Sequence, residues 1–161
     1  MLPEISLSPS GQKAFRTIGN HSRGFNDVDM LPRSGNAIRE GAGNLPGVLE
    51  VFEKSDDIHA RQGAVYLLEG VCEWMSDCKL TPSNFSAAVP ILIEAVMLKE
   101  QDPLVREEAV NVLDKLSKQD ANIAKIVKNA FRSFLIDWLE INDIHESTSR
   151  YISAASTAWK K

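Results

Sequence analysis

Apolar residues recur along much of this chain at the spacing of one helix face, about 3.6 residues per turn. From Ser34 the series Ile38, Ala42, Leu45, Leu49 and Phe52 predicts a helix, with Pro46 kinking it near Ala42 or forcing it to begin there. Phe85, Val89, Leu92 and Val96 predict another, opened by Thr81 and Pro82 as N-cap and first turn and carrying Pro90 inside it. Val127, Phe131, Phe134, Trp138 and Ile141 form a third stripe, which Asp120 can cap and no proline interrupts. A last helix from about Asp143 buries Tyr151, Ile152, Ala155, Ala158 and Trp159 and turns Ser149, Ser153, Ser156 and Lys160 outward. Residues 1–35 are the least regular, punctuated by Gly11, Gly19, Gly24 and Gly35 and by Pro3, Pro9 and Pro32. They predict only a short helix from Ser10 to Asn20 that buries Ala14, Phe15 and Ile18.

Between the first two stripes and after the second lie two similar segments. Asp57 to Val71 reads DIHARQGAVYLLEGV, and 45 positions on, Asp102 to Leu116 reads DPLVREEAVNVLDKL. Asp57, Arg61, Ala64, Val65 and Leu68 match Asp102, Arg106, Ala109, Val110 and Leu113. Pro46 and Pro90 repeat at 44. A proline-bearing first helix and an Asp-x-x-x-Arg-x-x-Ala-Val second helix, in the same order at nearly the same interval, signal stacked helix pairs. The polar outer face of the last helix suits the end of such a stack and predicts a complete small domain.

With these features the chain resembles HEAT and armadillo repeat proteins over residues 36–161. The resemblance implies an all-α fold, a right-handed α-solenoid of about three helix pairs (an α-α superhelix), preceded by an irregular N-terminal arm or partial repeat over residues 1–35. It also implies that Asp57 with Arg61, and Asp102 with Arg106, tie neighbouring repeats together through charge-assisted hydrogen bonds.

Composition narrows the setting. The chain has 161 residues, 43% hydrophobic and 25% charged, with net charge −4, enough to bury a core. Residues 2–20 hold no apolar run of signal-peptide length, which predicts a mature chain beginning at Met1, and stretches such as Val89 to Ile93 are too short to span a bilayer. Cys72 and Cys78 have no further partner in sequence, which argues against a disulfide framework and for a reducing compartment, the cytoplasm, with the nucleus as the alternative. Lys13, Arg16, Arg23, Arg33 and Arg39 make the N-terminal end mildly basic; Asp27, Asp29 and Glu40 offset most of it, so the expectation is a solvated surface.

Catalytic patterns are sparse, and the expectation is a protein that is not an enzyme and holds no cofactor or metal. Ser10 and Lys13 have the Ser-x-x-Lys spacing of some acyl-transfer enzymes without a companion motif. His145-Glu146 is similar to the dyads with which one group of HEAT-repeat hydroxylases holds iron, but His21 and His59 lack an adjacent glutamate to complete the set. A metal-dependent HEAT-repeat enzyme is therefore the weakest reading. Lys125, Lys128 and Arg132, with Lys118 close in sequence, offer a short basic helix face for nucleic acid, set against a negative overall charge.

The leading expectation is a protein- or peptide-binding adaptor or scaffold. In solenoids of the resembled type the second helices line the concave side. Positions off the Ala64, Val65, Leu68, Val71 face are Gln62, Tyr66, Glu69 and Glu73, and their counterparts are Glu107, Asn111, Asp114 and Lys118. This ladder of carboxylates and amides would hydrogen-bond an extended, basic chain, with Tyr66 as its anchor.

Overall fold

Aspartates start three of the helices. The computed structural model describes residues 6–21, 35–99 and 102–140. Within them the chain forms α1 (Pro9–His21), α2 (Gly35–Ala42), α3 (Leu45–Lys54), α4 (Ile58–Glu73), a 3-10 turn (Pro82–Phe85), α5 (Ala88–Glu94) running into a π-helical segment (Ala95–Lys99), α6 (Pro103–Gln119) and α7 (Ala121–Glu140). The fold is all-α, with no strand among the described residues. None of these helices is long and apolar enough to cross a membrane.

Asp57, Asp102 and Asp120 stand just before α4, α6 and α7 with extended backbone, and each carboxylate accepts from amides of the turn it opens. Those first-turn amides have no partner inside the helix, which is why a short acceptor at this position is stabilising. Asp120 has a second duty. Its own N–H donates to the Leu116 carbonyl and ends α6, while its Oδ1 accepts from Asn122 and Ile123 at 2.8 and 3.0 Å and begins α7.

The prolines act as helix starters. Pro9 and Pro103 are the first residues of α1 and α6, Pro82 opens the 3-10 turn, Pro46 is second in α3 and Pro90 third in α5. In a first turn the missing proline N–H costs nothing, because no carbonyl waits for it. The kinked first helices read from the sequence are therefore separate segments. A turn at Gly43 and Asn44 divides α2 from α3, and the 3-10 turn with Ser86 and Ala87 precedes α5. Each break resets the helical phase. In α3 the buried side is Val48, Val51 and Phe52, while Leu45 and Leu49, expected on that face, are only half-buried.

The chain divides into two compact units, residues 1–81 and 82–161. In the first, α1 packs on α3, and α1, α2 and α3 all pack on α4. The core gathers Ala14, Ile18, Ile38, Val48, Val51, Phe52, Ala64, Leu67, Leu68 and Val71. The α1 helix buries Ala14, Phe15 and Ile18 as its sequence predicts. It approaches α3 at Gly47, where a Cβ would stand 2.3 Å from the Ser10 carbonyl oxygen. In the second unit, α5, the π segment and α7 pack on α6 around Phe85, Val89, Leu92, Val96, Val105, Ala109, Leu113, Val127 and Phe131. The predicted helix from Asp143, and with it His145-Glu146, lies outside the described residues, as do the side chains of Phe134 and Trp138.

Candidate partner-binding surface

The two second helices carry the same cap and differ in what covers them. Asp57 Oδ1 accepts the His59 amide at 2.9 Å, and Asp102 Oδ1 accepts the Val105 amide at 3.0 Å. The guanidinium Nη1 of Arg61 donates to the Ser55 carbonyl at 2.8 Å, and the Ser55 hydroxyl accepts the Asp57 N–H at 3.2 Å. These bonds stitch the α3–α4 corner within one unit. The resemblance assigned the repeated aspartate and arginine to a tie between repeats; the bonds described here hold local helix starts. Arg106, at the matching place in α6, is buried.

Helix α4 is enclosed. Every residue from Gly63 to Cys72 is buried, including Tyr66 at 6% and Glu69 at 7% exposure. Three helices of the same unit press on α4, so the side assigned to a partner is largely used by the fold. Tyr66 is thus no exposed anchor. Of its row, Gln62 is half-buried and Glu73 exposed. A sequence signal for this existed: between Gly63 and Cys72 only Tyr66 and Glu69 carry polar side-chain atoms beyond the thiol of Cys72, and a helix apolar nearly all round is a buried one.

Helix α6 is two-sided. Val105, Ala109, Val112, Leu113 and Leu116 are buried, whereas Glu107, Asn111 and Lys118 are exposed and Asp114 half-buried. The Lys118 ammonium lies 2.8 Å from the Asp114 carboxylate, one turn apart. The Asn111 amide donates to Glu108 Oε1 at 3.3 Å. The four α6 positions read from the sequence thus stand along one helix with a fixed pair at one end and the Glu107 carboxylate at the other.

A contact absent from the sequence reading lies at the start of α1. The carboxylate of Glu50, on α3, accepts the Ser8 backbone N–H at 2.7 Å and the Ser8 hydroxyl on its other oxygen. These two donors, and secondarily the charge of Lys54, hold the Glu50 carboxyl below its ordinary range. No spacing rule links residues 42 apart, so the sequence offered no signal for it.

Other candidates fall out as follows. On α7, Lys125 and Arg132 are exposed and Lys128 half-buried. Lys13, Arg16 and Arg39 are exposed, while Arg23 and Arg33 lie outside the described residues. Ser10 and Lys13 are both exposed on α1, and His59 is half-buried. Cys72 and Cys78 are free thiols, the first buried. Among the described residues no three or more His, Cys, Asp or Glu side chains gather as metal ligands would. In comparisons with known proteins, no family model, curated protein or solved structure matches this chain.

Proposed function

We propose that the chain is a protein- or peptide-binding module of HEAT/armadillo character, an adaptor or scaffold built as a short helical solenoid. The observation that supports this reading is the repeated second helix: α4 and α6 begin on capping aspartates 45 residues apart and keep Arg, Ala, Val and Leu in the same register. Recognition falls on the polar positions these helices leave accessible. On α6 they are Glu107, Asn111, Asp114 and Lys118, and on α4 Gln62 and Glu73, with Tyr66 and Glu69 given over to the core. Among these α6 positions the carboxylates of Glu107 and Asp114 outnumber the one ammonium of Lys118, which favours a basic, extended segment.

A library of lysine- and arginine-containing peptides tests the reading. The expected result is salt-sensitive binding that Glu107→Lys with Asp114→Lys weakens at least about tenfold, with helicity and melting unchanged. Failure of every peptide to bind at low salt, or unaltered affinity of the double variant, overturns it.

A second reading rests on α7, where exposed Lys125 and Arg132 flank half-buried Lys128 and could meet phosphates. Binding of a labelled duplex at low salt, lost when the three are neutralised, would favour this reading over the first.

A further inference from the structure

We propose that Ser8 is a phosphorylation site and that its phosphate releases the start of α1 from α3. Ser8 is exposed and precedes Pro9, and a serine in that position is the substrate of proline-directed protein kinases. The proline also biases Ser8 toward the extended backbone that a kinase cleft takes. The pattern Leu-Ser-Pro-Ser at 7–10 recurs as Leu-Thr-Pro-Ser at 80–83, where it also opens a helical turn, so the pattern by itself marks helix starts. The inference is carried by what faces the hydroxyl.

The Ser8 hydroxyl is wedged between two helices. Its oxygen accepts the Gly11 N–H at 3.2 Å in the first turn of α1, and its proton goes to the Glu50 carboxylate on α3. A Cβ at Gly11 would stand 2.7 Å from Glu50 Oε2, so the carboxylate lies against the α1 backbone with no space for a methyl group between them. Phosphorylation forms a bond from Ser8 Oγ to the γ-phosphorus of ATP. The bond to the β-phosphate oxygen breaks, ADP departs with its electron pair, and the hydroxyl proton passes to the kinase's base.

The product carries about −1.5 to −2 charges and no longer donates to Glu50. Two effects then compete. The α1 N-terminus favours an anion, but with only about half a unit charge spread over its amides. Glu50 opposes with a full charge at hydrogen-bond distance from the Ser8 oxygen, and its carboxylate already lies against the α1 backbone at Gly11. Lys54 acts on Glu50 from one turn further along α3, while Lys13 and Arg16 are exposed on α1. Repulsion and crowding prevail, and the Ser8–Glu50 contact opens. Leu7 is buried, so a kinase reaches Ser8 when this end of the segment lifts, and the phosphate traps the lifted form.

The full chain is incubated with ATP and a proline-directed kinase, the modified positions are mapped by mass spectrometry, and amide exchange in residues 11–18 is followed. Phosphate is expected on Ser8, and none there in Ser8→Ala. Exchange in α1 should quicken about tenfold or more on phosphorylation. In a Glu50→Gln background, where the opposing charge is gone, the quickening should fall below about threefold. No incorporation at Ser8, slowed or unchanged exchange, or an equal effect in Glu50→Gln would each overturn the proposal.

Discussion

The N–H of Leu80 donates to the carbonyl of Met75 at 2.9 Å, and inside that bond the N–H of Lys79 donates to Ser76 at 3.0 Å. This paired closure is a Schellman end on the turn that follows α4, and it places Lys79 at φ 58, the left-handed region that favours glycine. Lys79→Gly should therefore raise stability by about 0.5 to 1 kcal/mol, the relief of the Cβ outweighing the added freedom of the unfolded chain. Thermal melts of the two proteins side by side check it, and a lower melting temperature for the glycine variant would count against the assigned turn.

Two glycines of the first unit should respond in opposite directions to alanine. At Gly47 the new Cβ meets the Ser10 carbonyl oxygen at 2.3 Å, a backbone atom that cannot swing aside, and Gly47→Ala should cost about 1 to 3 kcal/mol. Gly19, exposed near the end of α1, has nothing within 4 Å of its Cβ direction, so Gly19→Ala should stabilise by up to about 1 kcal/mol. Urea unfolding of both variants gives the comparison. Equal effects would show that α1 and α3 are not in this close contact.

Acid should loosen the contact at Glu50. Its carboxyl is held below the ordinary value of 4.5, first by the Ser8 hydroxyl and then by the Ser8 N–H. A group whose folded pKa is depressed binds its proton more weakly when folded, so its contribution is complete above 4.5 and fades as pH falls through the lower folded value. Glu50→Gln should show a shallower loss of stability on acidification than the parent, with the two curves separating most near neutral pH. Parallel curves down to about pH 3 would remove Glu50 from the acid response.

Tyr66 should behave as a core residue. At 6% exposure its truncation to alanine empties a packed position, and a cost of about 2 to 5 kcal/mol is expected, comparable with that of Leu113→Ala in the second unit. Glu107→Lys, on an exposed position of α6, should move the melting temperature little. If Tyr66→Ala melts like the parent and loses peptide binding, the ring belongs to the binding surface after all.

How much of this was readable beforehand depends on whether the deciding contact is local. The caps at Asp57, Asp102 and Asp120 act within one helical turn, yet the sequence reading names only Asp120 as a cap and gives Asp57 and Asp102 to ties between repeats. Leu68, Leu92, Leu113, Val127 and Phe131 lie on strong stripes and are all buried. For Pro46 the sequence leaves a kink and a helix start near Ala42 both open, because periodicity alone cannot say whether a proline interrupts a helix or starts the next one. Helix α3 starts at Leu45, and Pro90, read as lying inside its helix, falls in the first turn of α5. Tyr66 and Glu69 were misplaced for another reason. An apolar stripe identifies the side that must be covered, but whether the opposite side is covered too depends on how many other helices arrive, and α4 receives three from its own unit. For the α6 row the second side stayed largely open, and the sequence reading of those positions as accessible agrees with their exposure.

The double duty of Asp120 leaves the joint between α6 and α7 without slack. One residue, at φ −143 and ψ 117, carries the whole change of direction, and no loop exists to absorb a change of length. Adding a single residue there would turn α7 by about 100° about its axis and lift it about 1.5 Å along it. Ile123, Val127 and Phe131 would rotate out of the core and the face bearing Lys125 and Arg132 would rotate toward it. This junction should therefore tolerate substitution far better than insertion, and length variation in natural or engineered versions of the chain should fall elsewhere.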